Sequence, residues 1–322
     1  MQRKAHALVV LPWSSDGMSA RHRRWLARSR LLRSVRGEVL LHALAALGVT
    51  SPPEALGALR LWGQTGQRPA GWVAAADPVW FEARLDHLVL HPLAELPAGE
   101  VSEIFAYLQK SLAAPDSVEF ASAGTLGYVR RDQPMATASA SPEVAQGSSP
   151  EAFLPSAGKT RAHDKLQGEI QMCLHEADVN RRRTQGGKPP VNALWLWGGG
   201  VLPPSLKQSS AKNLPDLFAD DPLFKGYWRS VLAPAADWPG DLDACLEASP
   251  RGFVAVLPDG EQAEGAAAID APLSVLRRML RRGRLRAVTV FFADGLRADR
   301  GRWDALRPWR PDATFLKESG SG

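Results

Sequence analysis

Four short runs of the chain are apolar on both faces of the strand that each would form, and they constrain the fold more than any other feature. These runs cover residues 5–11, 191–197, 252–257 and 287–292. A strand with one face in water alternates apolar and polar residues, whereas a strand covered on both faces is continuously apolar, as in parallel sheets. Amphipathic helices are predicted between these runs. The order of elements therefore predicts an α/β protein with a mostly parallel central sheet flanked by helices.

Helices are predicted where apolar residues recur every three or four positions. They are expected at residues 20–47 with an interruption near Gly37, and at 101–112, 160–178 and 272–282. Residues 132–158 are rich in Ser, Ala, Pro and Gly, which is typical of a flexible linker or of a long surface loop. As a linker, this segment separates an N-terminal α/β part at 1–131 from a C-terminal α/β part at 159–318. As a loop, it belongs to one continuous domain.

The composition favours a cytoplasmic protein with no membrane partner. The apolar run near the start, residues 5–12, is too short for a signal-peptide core or for a membrane span. Only two cysteines, Cys173 and Cys245, are present and they lie far apart in the chain. Such sparse cysteine usage suits a reducing compartment better than a disulfide framework.

Arginines are concentrated in two segments, although the formal net charge is only +5. The members of the two clusters are Arg21, Arg23, Arg24, Arg28, Arg30, Arg33 and Arg36, followed much later by Arg277, Arg278, Arg281, Arg282, Arg284 and Arg286. Trp25, Leu32 and Val39 recur at helical spacing and leave most of the early arginines on other sides, which favours a solvated helix face. Nucleic acid is therefore an unfavoured partner. Binding of nucleic acid through the Arg-rich first helix stays as an alternative function.

A candidate ligand site is predicted around the apolar run at residues 191–197. The glycines that follow this run are Gly198, Gly199 and Gly200. Backbone amides after a buried strand can approach a phosphate. Asn180, Arg183 and Asn192 precede the glycines, and a guanidinium beside a glycine loop can hold a carboxylate or phosphate. The alternatives are a tight strand exit for the glycines and backbone capping for the two asparagines.

Other polar residues give weaker signals. Asp16 and Asp294 each follow a predicted strand, at the edge where ligands gather in open α/β sheets, but Asp-Gly pairs also form ordinary turns. His87 and His91 would lie on one face of a strand roughly 13 Å apart, which makes them poor joint metal ligands. No metal site and no catalytic residue are predicted.

The block at residues 166–200 resembles a bacterial family often labelled cofactor-independent phosphoglycerate mutase-like and, in some genomes, regulatory protein RpfE. The matching residues are Leu166, Gln167, Glu169, Gln171, Met172, His175, Val179, Asn180, Arg183, Gly187, Pro190, Val191, Asn192, Leu194, Trp195, Trp197 and Gly198 to Gly200. Residues 77–79 and 86–90 are also similar to the family. The resemblance implies a fold distantly similar to phosphoglycerate mutase and alkaline phosphatase.

The mutase mechanism that the resemblance brings uses two divalent metals, a Ser nucleophile, and Asp and His ligands placed early and late in the chain. This chain has Leu11, Pro12 and Trp13 where those enzymes carry an early metal-binding Asp, and it has no histidine after His175. The leading hypothesis is therefore a non-catalytic or regulatory protein that binds a small anionic ligand, with an unidentified protein partner and no cofactor. An active mutase or other phosphoryl-transfer enzyme, with Arg183 orienting the phosphate, is the alternative.

Overall fold

The computed structural model describes residues 5–34, 36–50, 53–85, 87–93, 95–112, 118–156, 160–204, 214–259 and 266–306. The chain divides into two compact units. The first unit comprises Met1–Pro52 and Lys207–Gly322, and the second unit comprises Pro53–Leu206. No helix within the described ranges combines the length and the apolar character that crossing a bilayer requires.

The described parts of the chain form both strands and helices. The strands are β1 (His6–Val10), β2 (Arg30–Arg33), β3 (Trp72–Ala83), β4 (Leu88–Pro92), β5 (Val118–Ala123), β6 (Leu126–Arg131), β7 (Ala193–Val201), β8 (Asp216–Ala219), β9 (Ala235–Ala236), β10 (Gly252–Val256), β11 (Ala287–Phe291) and β12 (Leu296–Gly301). The helices are α1 (Ala20–Leu26), α2 (Val39–Ala46), α3 (Leu56–Thr65), α4 (Ala98–Leu112), α5 (Pro142–Ala145), α6 (Arg161–Glu176), α7 (Asp178–Gln185), α8 (Pro222–Ser230), α9 (Leu242–Ala248) and α10 (Ala266–Arg281).

The first unit contains a mixed sheet in the order β2-β12-β11-β1-β10-β8-β9. β1 pairs in parallel with β10 on one side and with β11 on the other, while β12 and β2 add an antiparallel edge. Ala7, Val9 and Leu11 share one core with apolar residues of α1, α9 and α10. Alternate positions of a strand face opposite sides of the sheet, so this core covers one face. The predicted α/β class is confirmed, while the sheet itself is mixed, with parallel pairing around β1, β10 and β8 and antiparallel pairing of β12 with β11 and β2.

The second unit contains a separate sheet in the order β4-β3-β6-β5, with β7 also paired to β3. The pairings among β3, β4, β5, β6 and β7 are all antiparallel. The prediction that residues 191–197 join a parallel-rich central sheet is therefore wrong. Leu194 and Leu196 of β7 pack in a core with α4 and α6, while Trp195 donates a hydrogen bond from Nε1 to the Ala140 carbonyl at 2.8 Å. The strand is apolar because both of its faces are buried, and burial of both faces does not show whether a strand pairs in parallel or antiparallel.

Two predicted helix boundaries are also wrong. The helix expected at residues 20–47 is divided into α1, β2 and α2. β2 leaves the helical pattern because it pairs with β12, from Arg30 opposite Asp299 to Arg33 opposite Leu296. Tertiary pairing has outweighed local helix propensity there. In addition, the helix expected at residues 160–178 ends at Glu176 and is followed by a separate helix, α7.

Residues 132–156 lie within the second unit and pack onto its sheet. Ala138 forms a parallel bridge with Trp197, and the backbone amide of Ser139 donates to the Phe153 carbonyl at 2.8 Å. Ser141 caps α5 by accepting from the Val144 amide. The boundary between the two units falls near residues 52 and 206 instead of within this segment.

A buried ion pair fixes α3 on the sheet of the second unit. The Arg60 guanidinium donates to both oxygens of Asp77, with Nη1–Oδ2 and Nη2–Oδ1 distances of 2.8 Å. It also donates to the Gly127 carbonyl at 2.9 Å and lies over the ring of Tyr128. The Asp77 carboxylate accepts a further hydrogen bond from Trp197 Nε1 at 2.7 Å. Asp77 belongs to a segment singled out by the family resemblance, and the contacts of Asp77 and Arg60 together join α3, β3, β6 and β7.

Candidate functional site

Asn180 and Asn192, two of the predicted ligand-binding residues, use their amide groups on the backbone. The Asn180 amide nitrogen donates to the Leu174 and Val191 carbonyls at 2.7 Å, and its oxygen accepts from the Val191 amide at 2.8 Å. Asn192 bonds both backbone groups of Phe81, at 2.8 and 2.9 Å. A side-chain amide has four hydrogen-bonding positions, and these contacts occupy three of them in Asn180 and two in Asn192. Both residues therefore join the segment before β7 to its neighbours.

Arg183 is buried and already paired with a carboxylate. Its Nη1 lies 2.7 Å from Glu100 Oε2, and its Nε donates to the Pro189 carbonyl at 2.9 Å. The side chain is 8% exposed. An anion that binds Arg183 would have to compete with Glu100. The Arg183–Glu100 pair joins α7 to α4.

The three glycines that end β7 permit close contact between the strand and its surroundings. Gly198 has a φ of +60°, and an added Cβ would lie 2.9 Å from the backbone nitrogen of Gly57 at the start of α3. An added Cβ at Gly200 would lie 2.7 Å from the Ala55 Cβ. The Gly199 amide donates to Thr137 Oγ1 at 2.9 Å. Glycine is needed here because the backbone of another segment approaches β7 closely.

The structure does not bring the six predicted residues together. Asn192 and Gly199 stand at opposite ends of an extended segment, roughly 23 Å apart at about 3.3 Å per residue. Asn180 and Asn192 border a cavity of about 820 Å³ in the second unit, with Phe81, His175 and Arg181. Arg183 and the glycines do not line that cavity. Ligand binding by these residues stays a prediction, while their observed contacts are those of backbone capping and close packing.

The carboxyl edge of the first unit's sheet carries a Ser–Asp contact. Ser15 follows β1 and Asp294 follows β11, so the parallel pairing of these strands places both residues at one edge. Ser15 Oγ donates to Asp294 Oδ2 at 2.5 Å, and Ser15 is buried. Asp16 instead contacts Ser14. Across the described ranges, no group of three or more His, Cys, Asp or Glu side chains is placed to hold a metal ion.

Positive charge is concentrated in a cavity of about 530 Å³ in the first unit, which we call the arginine pocket. It lies between α1, the end of α10 and the segment that ends β12. Seven of the ten described residues that line it are arginines. The lining residues are Arg21, Arg24, Trp25, Arg28, Arg277, Leu280, Arg281, Arg300, Gly301 and Arg302. The two arginine clusters of the sequence therefore meet in space.

A buried polar contact holds the two arginine-bearing helices together. His22 of α1 lies 2.9 Å from Asp270 of α10 through Nδ1, and its Nε2 lies 3.2 Å from Ser274 Oγ. The Ser19 amide also donates to Asp270 at 3.2 Å. Burial alone would raise the pKa of Asp270, but hydrogen bonds from Ser19 and the nearby His22 outweigh it and lower the pKa. These contacts offset repulsion between the arginines of α1 and α10.

Arg300 and Arg302, which line the arginine pocket, also contact neighbouring segments. Arg300 is buried, donates from Nη1 to the Trp25 carbonyl at 2.5 Å, and lies over the Trp25 ring at 5.2 Å. The Arg302 guanidinium covers Gly283, where an added Cβ would lie 2.7 Å from Nη1. A side chain at residue 283 would displace Arg302. Gly283, which lies just after α10, therefore leaves room for the Arg302 guanidinium.

Four arginines that line the arginine pocket have no carboxylate partner among the described residues. Within the part of the chain that the structure describes, Arg21, Arg28, Arg277 and Arg281 form no ion pair, whereas the neighbouring Arg278 is paired with Asp243. Burial and the nearby charges of Arg21 and Arg281 lower the pKa of Arg277. The arrangement favours a bound anion. The sequence did not reveal it, because α1 and α10 are far apart in the chain and each cluster alone is typical of a solvated face.

Comparison with known proteins supports a fold and no family. No family model matches the chain, and no curated protein shows significant similarity to it. The units described above define a mixed α/β protein. Among solved structures, the PH0037 protein from Pyrococcus horikoshii is similar over 94% of this chain and 88% of that chain, with 12% identity and a TM-score of 0.53. A cofactor-independent phosphoglycerate mutase from Thermoplasma acidophilum DSM 1728 matches over 92% and 90%, with 16% identity and a TM-score of 0.42.

The similarity to the PH0037 protein shows a shared fold alone, because 12% identity does not carry residue roles across. The match to the mutase has too low a TM-score, 0.42, to support an argument about this chain. Membership of the phosphoglycerate mutase-like family and the RpfE label therefore stay predictions.

Proposed function

We propose that this protein binds a phosphate-bearing ligand in the arginine pocket. The observation that carries the proposal is the convergence of two arginine clusters on one cavity without carboxylate partners among the described residues for Arg21, Arg28, Arg277 and Arg281. Guanidinium groups present several donors in a planar fork that matches phosphate oxygens. This role is consistent with the small anionic ligand expected from the sequence, at a different place in the fold.

The chemistry of the pocket suits binding better than turnover. A guanidinium stays protonated at all ordinary pH values and therefore does not act as a general base. The pocket also lies at the amino edge of the sheet, since Gly301 pairs with Ala287 at the start of β11. The Ser15–Asp294 contact lies at the opposite edge, roughly 16 Å away over five residues of strand. A non-catalytic, regulatory role is thus part of the proposal.

The test is thermal and chemical unfolding of the purified protein with phosphate, pyrophosphate and 3-phosphoglycerate. A ligand at about 100 times its dissociation constant adds about 2.7 kcal/mol to the unfolding free energy of the unit that binds it. We expect this stabilisation to be lost in an Arg277→Gln/Arg281→Gln variant. The matched control is Arg161→Gln, which removes an exposed arginine of the second unit. Absence of stabilisation by all three anions, or equal stabilisation of the double variant, contradicts the proposal.

Phosphoryl transfer at the carboxyl edge is the second candidate, and the Ser15–Asp294 hydrogen bond of 2.5 Å is the observation that favours it. A carboxylate that accepts from a buried hydroxyl can orient a nucleophile. The test is hydrolysis of a phosphate monoester and mutase turnover with added Mn²⁺, compared between the unchanged protein and Ser15→Ala. Turnover that Ser15→Ala abolishes establishes this candidate, and no turnover in either protein rejects it.

A further inference from the structure

We propose that the ligand of the arginine pocket is single-stranded nucleic acid, whose phosphates lie along the arginines and whose base stacks on Trp303. This inference rests on the proposed phosphate-binding function and names the class of ligand. Three features of the first unit carry it: the extent of the basic cavity, the exposed tryptophan beside it, and the choice of arginine as the cation.

The basic cavity is longer than one phosphate requires. A second cavity of about 440 Å³ adjoins the arginine pocket and shares Arg21, Arg277 and Arg281 with it. Arg278 and Arg282 also line the second cavity. Arginines four positions apart on α10 are separated by about 6 Å along the helix axis. The two cavities therefore form a track of guanidinium groups suited to several linked phosphates.

An exposed aromatic ring stands at one end of this track. Trp303 follows β12 in a short helical turn and is 64% exposed. The guanidinium of Arg302, which lines the arginine pocket, lies 5.2 Å from the Trp303 ring centroid. Aromatic side chains beside a basic groove are the stacking platforms of proteins that bind single strands. A ligand of phosphates alone would make no use of Trp303.

Arginine and the concave shape favour a single strand over other polyanions. Among the described residues, those that line the two cavities include no lysine. Arginine binds phosphate bidentately and stacks on rings, whereas an ammonium group acts as a compact point charge. A membrane surface would contact a broad exposed face, whereas the track is concave and the buried Arg300 lines part of it. A base-paired duplex would hide the base faces that Trp303 is placed to contact.

The experiment measures fluorescence anisotropy of labelled oligo(U) and oligo(dT) of about twelve nucleotides, a length within the usual site sizes of single-strand binders. Neutralising about four phosphates predicts a slope of roughly −3 in log K against log salt, and Arg277→Gln/Arg281→Gln should reduce that slope by about 1.4. Trp303→Ala should weaken oligonucleotide binding about 5-fold to 150-fold and leave inorganic polyphosphate binding unchanged. Arg161→Gln should change neither. Circular dichroism checks that each variant is folded.

The outcomes separate this inference from the proposed function. If polyphosphate binds as tightly as the oligonucleotide and Trp303→Ala changes nothing, phosphate binding stands and the nucleic-acid inference is overturned. If a duplex or vesicles with anionic lipid bind better than the single strand, the inference is also overturned. If none of these anions binds, both the inference and the proposed function fail. Where the single strand binds best, tighter binding of oligo(U) than of oligo(dT) identifies RNA as the ligand, and the reverse order identifies DNA.

Discussion

Removing the buried guanidinium of Arg60 should destabilise the second unit by about 3 to 5 kcal/mol, the usual cost of breaking one side of a buried ion pair. The side chains of Arg60 and Asp77 are 8% and 10% exposed. Burial alone would lower the pKa of Arg60, but the Asp77 carboxylate raises it above its usual value, so the guanidinium is charged. In Arg60→Met, Asp77 keeps only the Trp197 donor among the contacts described above, and its charge is left uncompensated in the core.

The assay is urea unfolding followed by circular dichroism, because Trp197 lies in the site and its fluorescence would respond locally. Asp77→Asn should cost a similar amount, since it leaves the Arg60 charge without its partner. The double variant should lie within about 2 kcal/mol of either single variant, because each change alone already removes the interaction. Arg130→Met is the matched control: the Arg130–Glu119 pair on the same sheet is 42% and 53% exposed. Exposed pairs contribute about 0 to 1 kcal/mol.

Two results would refute this reasoning. One is a loss in Arg60→Met no larger than in Arg130→Met, which would mean that the buried charge is compensated elsewhere. The other is an additive double variant, which would mean that the two side chains stabilise the unit independently.

Three further predictions concern single residues. Gly198→Ala should lower the unfolding free energy of the second unit by about 1 to 3 kcal/mol in urea titrations, because its φ is +60° and the new methyl group meets Gly57; Gly187→Ala, at a φ of +69° in open space, is the control and should cost less. Loss of anion binding in Gly198→Ala without loss of stability would instead favour the predicted glycine loop. Burial lowers the pKa of His6 in the folded protein. Below about pH 6.5 the unfolded chain therefore binds a proton at His6 that the folded protein does not bind, and the free energy of unfolding should decrease from pH 7 towards the lower folded pKa. His6→Gln should flatten this pH dependence in a series of urea titrations, and an unchanged slope would contradict the prediction. Asp270→Asn should weaken pyrophosphate binding although Asp270 does not line the arginine pocket, because Asp270 fixes α1 to α10. Its pKa is lowered in the folded protein, so the stability that Asp270 provides is present near neutral pH and should be lost as pH falls below about 4. Unchanged binding in a calorimetric titration would show that the helices are held by other contacts.

Local pattern in the sequence identified the strands and misjudged part of their arrangement. The apolar runs that became β1, β10 and β11 were predicted together with their parallel relation, because helices between them require crossover connections. The run that became β7 was predicted as a strand but placed in the wrong kind of sheet. Its partner β3 lies more than a hundred positions earlier, and burial of both faces has the same appearance in either direction.

The candidate sites depended even more on long-range contacts. Asn180, Arg183 and Asn192 were chosen for their chemistry, but their groups are used by backbone atoms and by Glu100, which no local pattern shows. The arginine pocket arises only when α1 and α10 meet through His22 and Asp270. Ser15 was missed because a serine after a strand is ordinary until its aspartate partner is known. The sequence signal that could have found it is the matching Asp-Gly after β1 and β11.

The close approach of Gly200 to Ala55 means that the second unit begins and ends at neighbouring points, as expected of a domain inserted into another. Residues 53–206 are synthesised before β10 and β11. The inserted unit can therefore fold while β1, which is apolar on both faces, still lacks its partner strands. During synthesis, β1 is therefore an exposed apolar segment that is prone to aggregation. Chaperone supply and elongation rate should therefore govern the yield of the outer domain more than that of the insert.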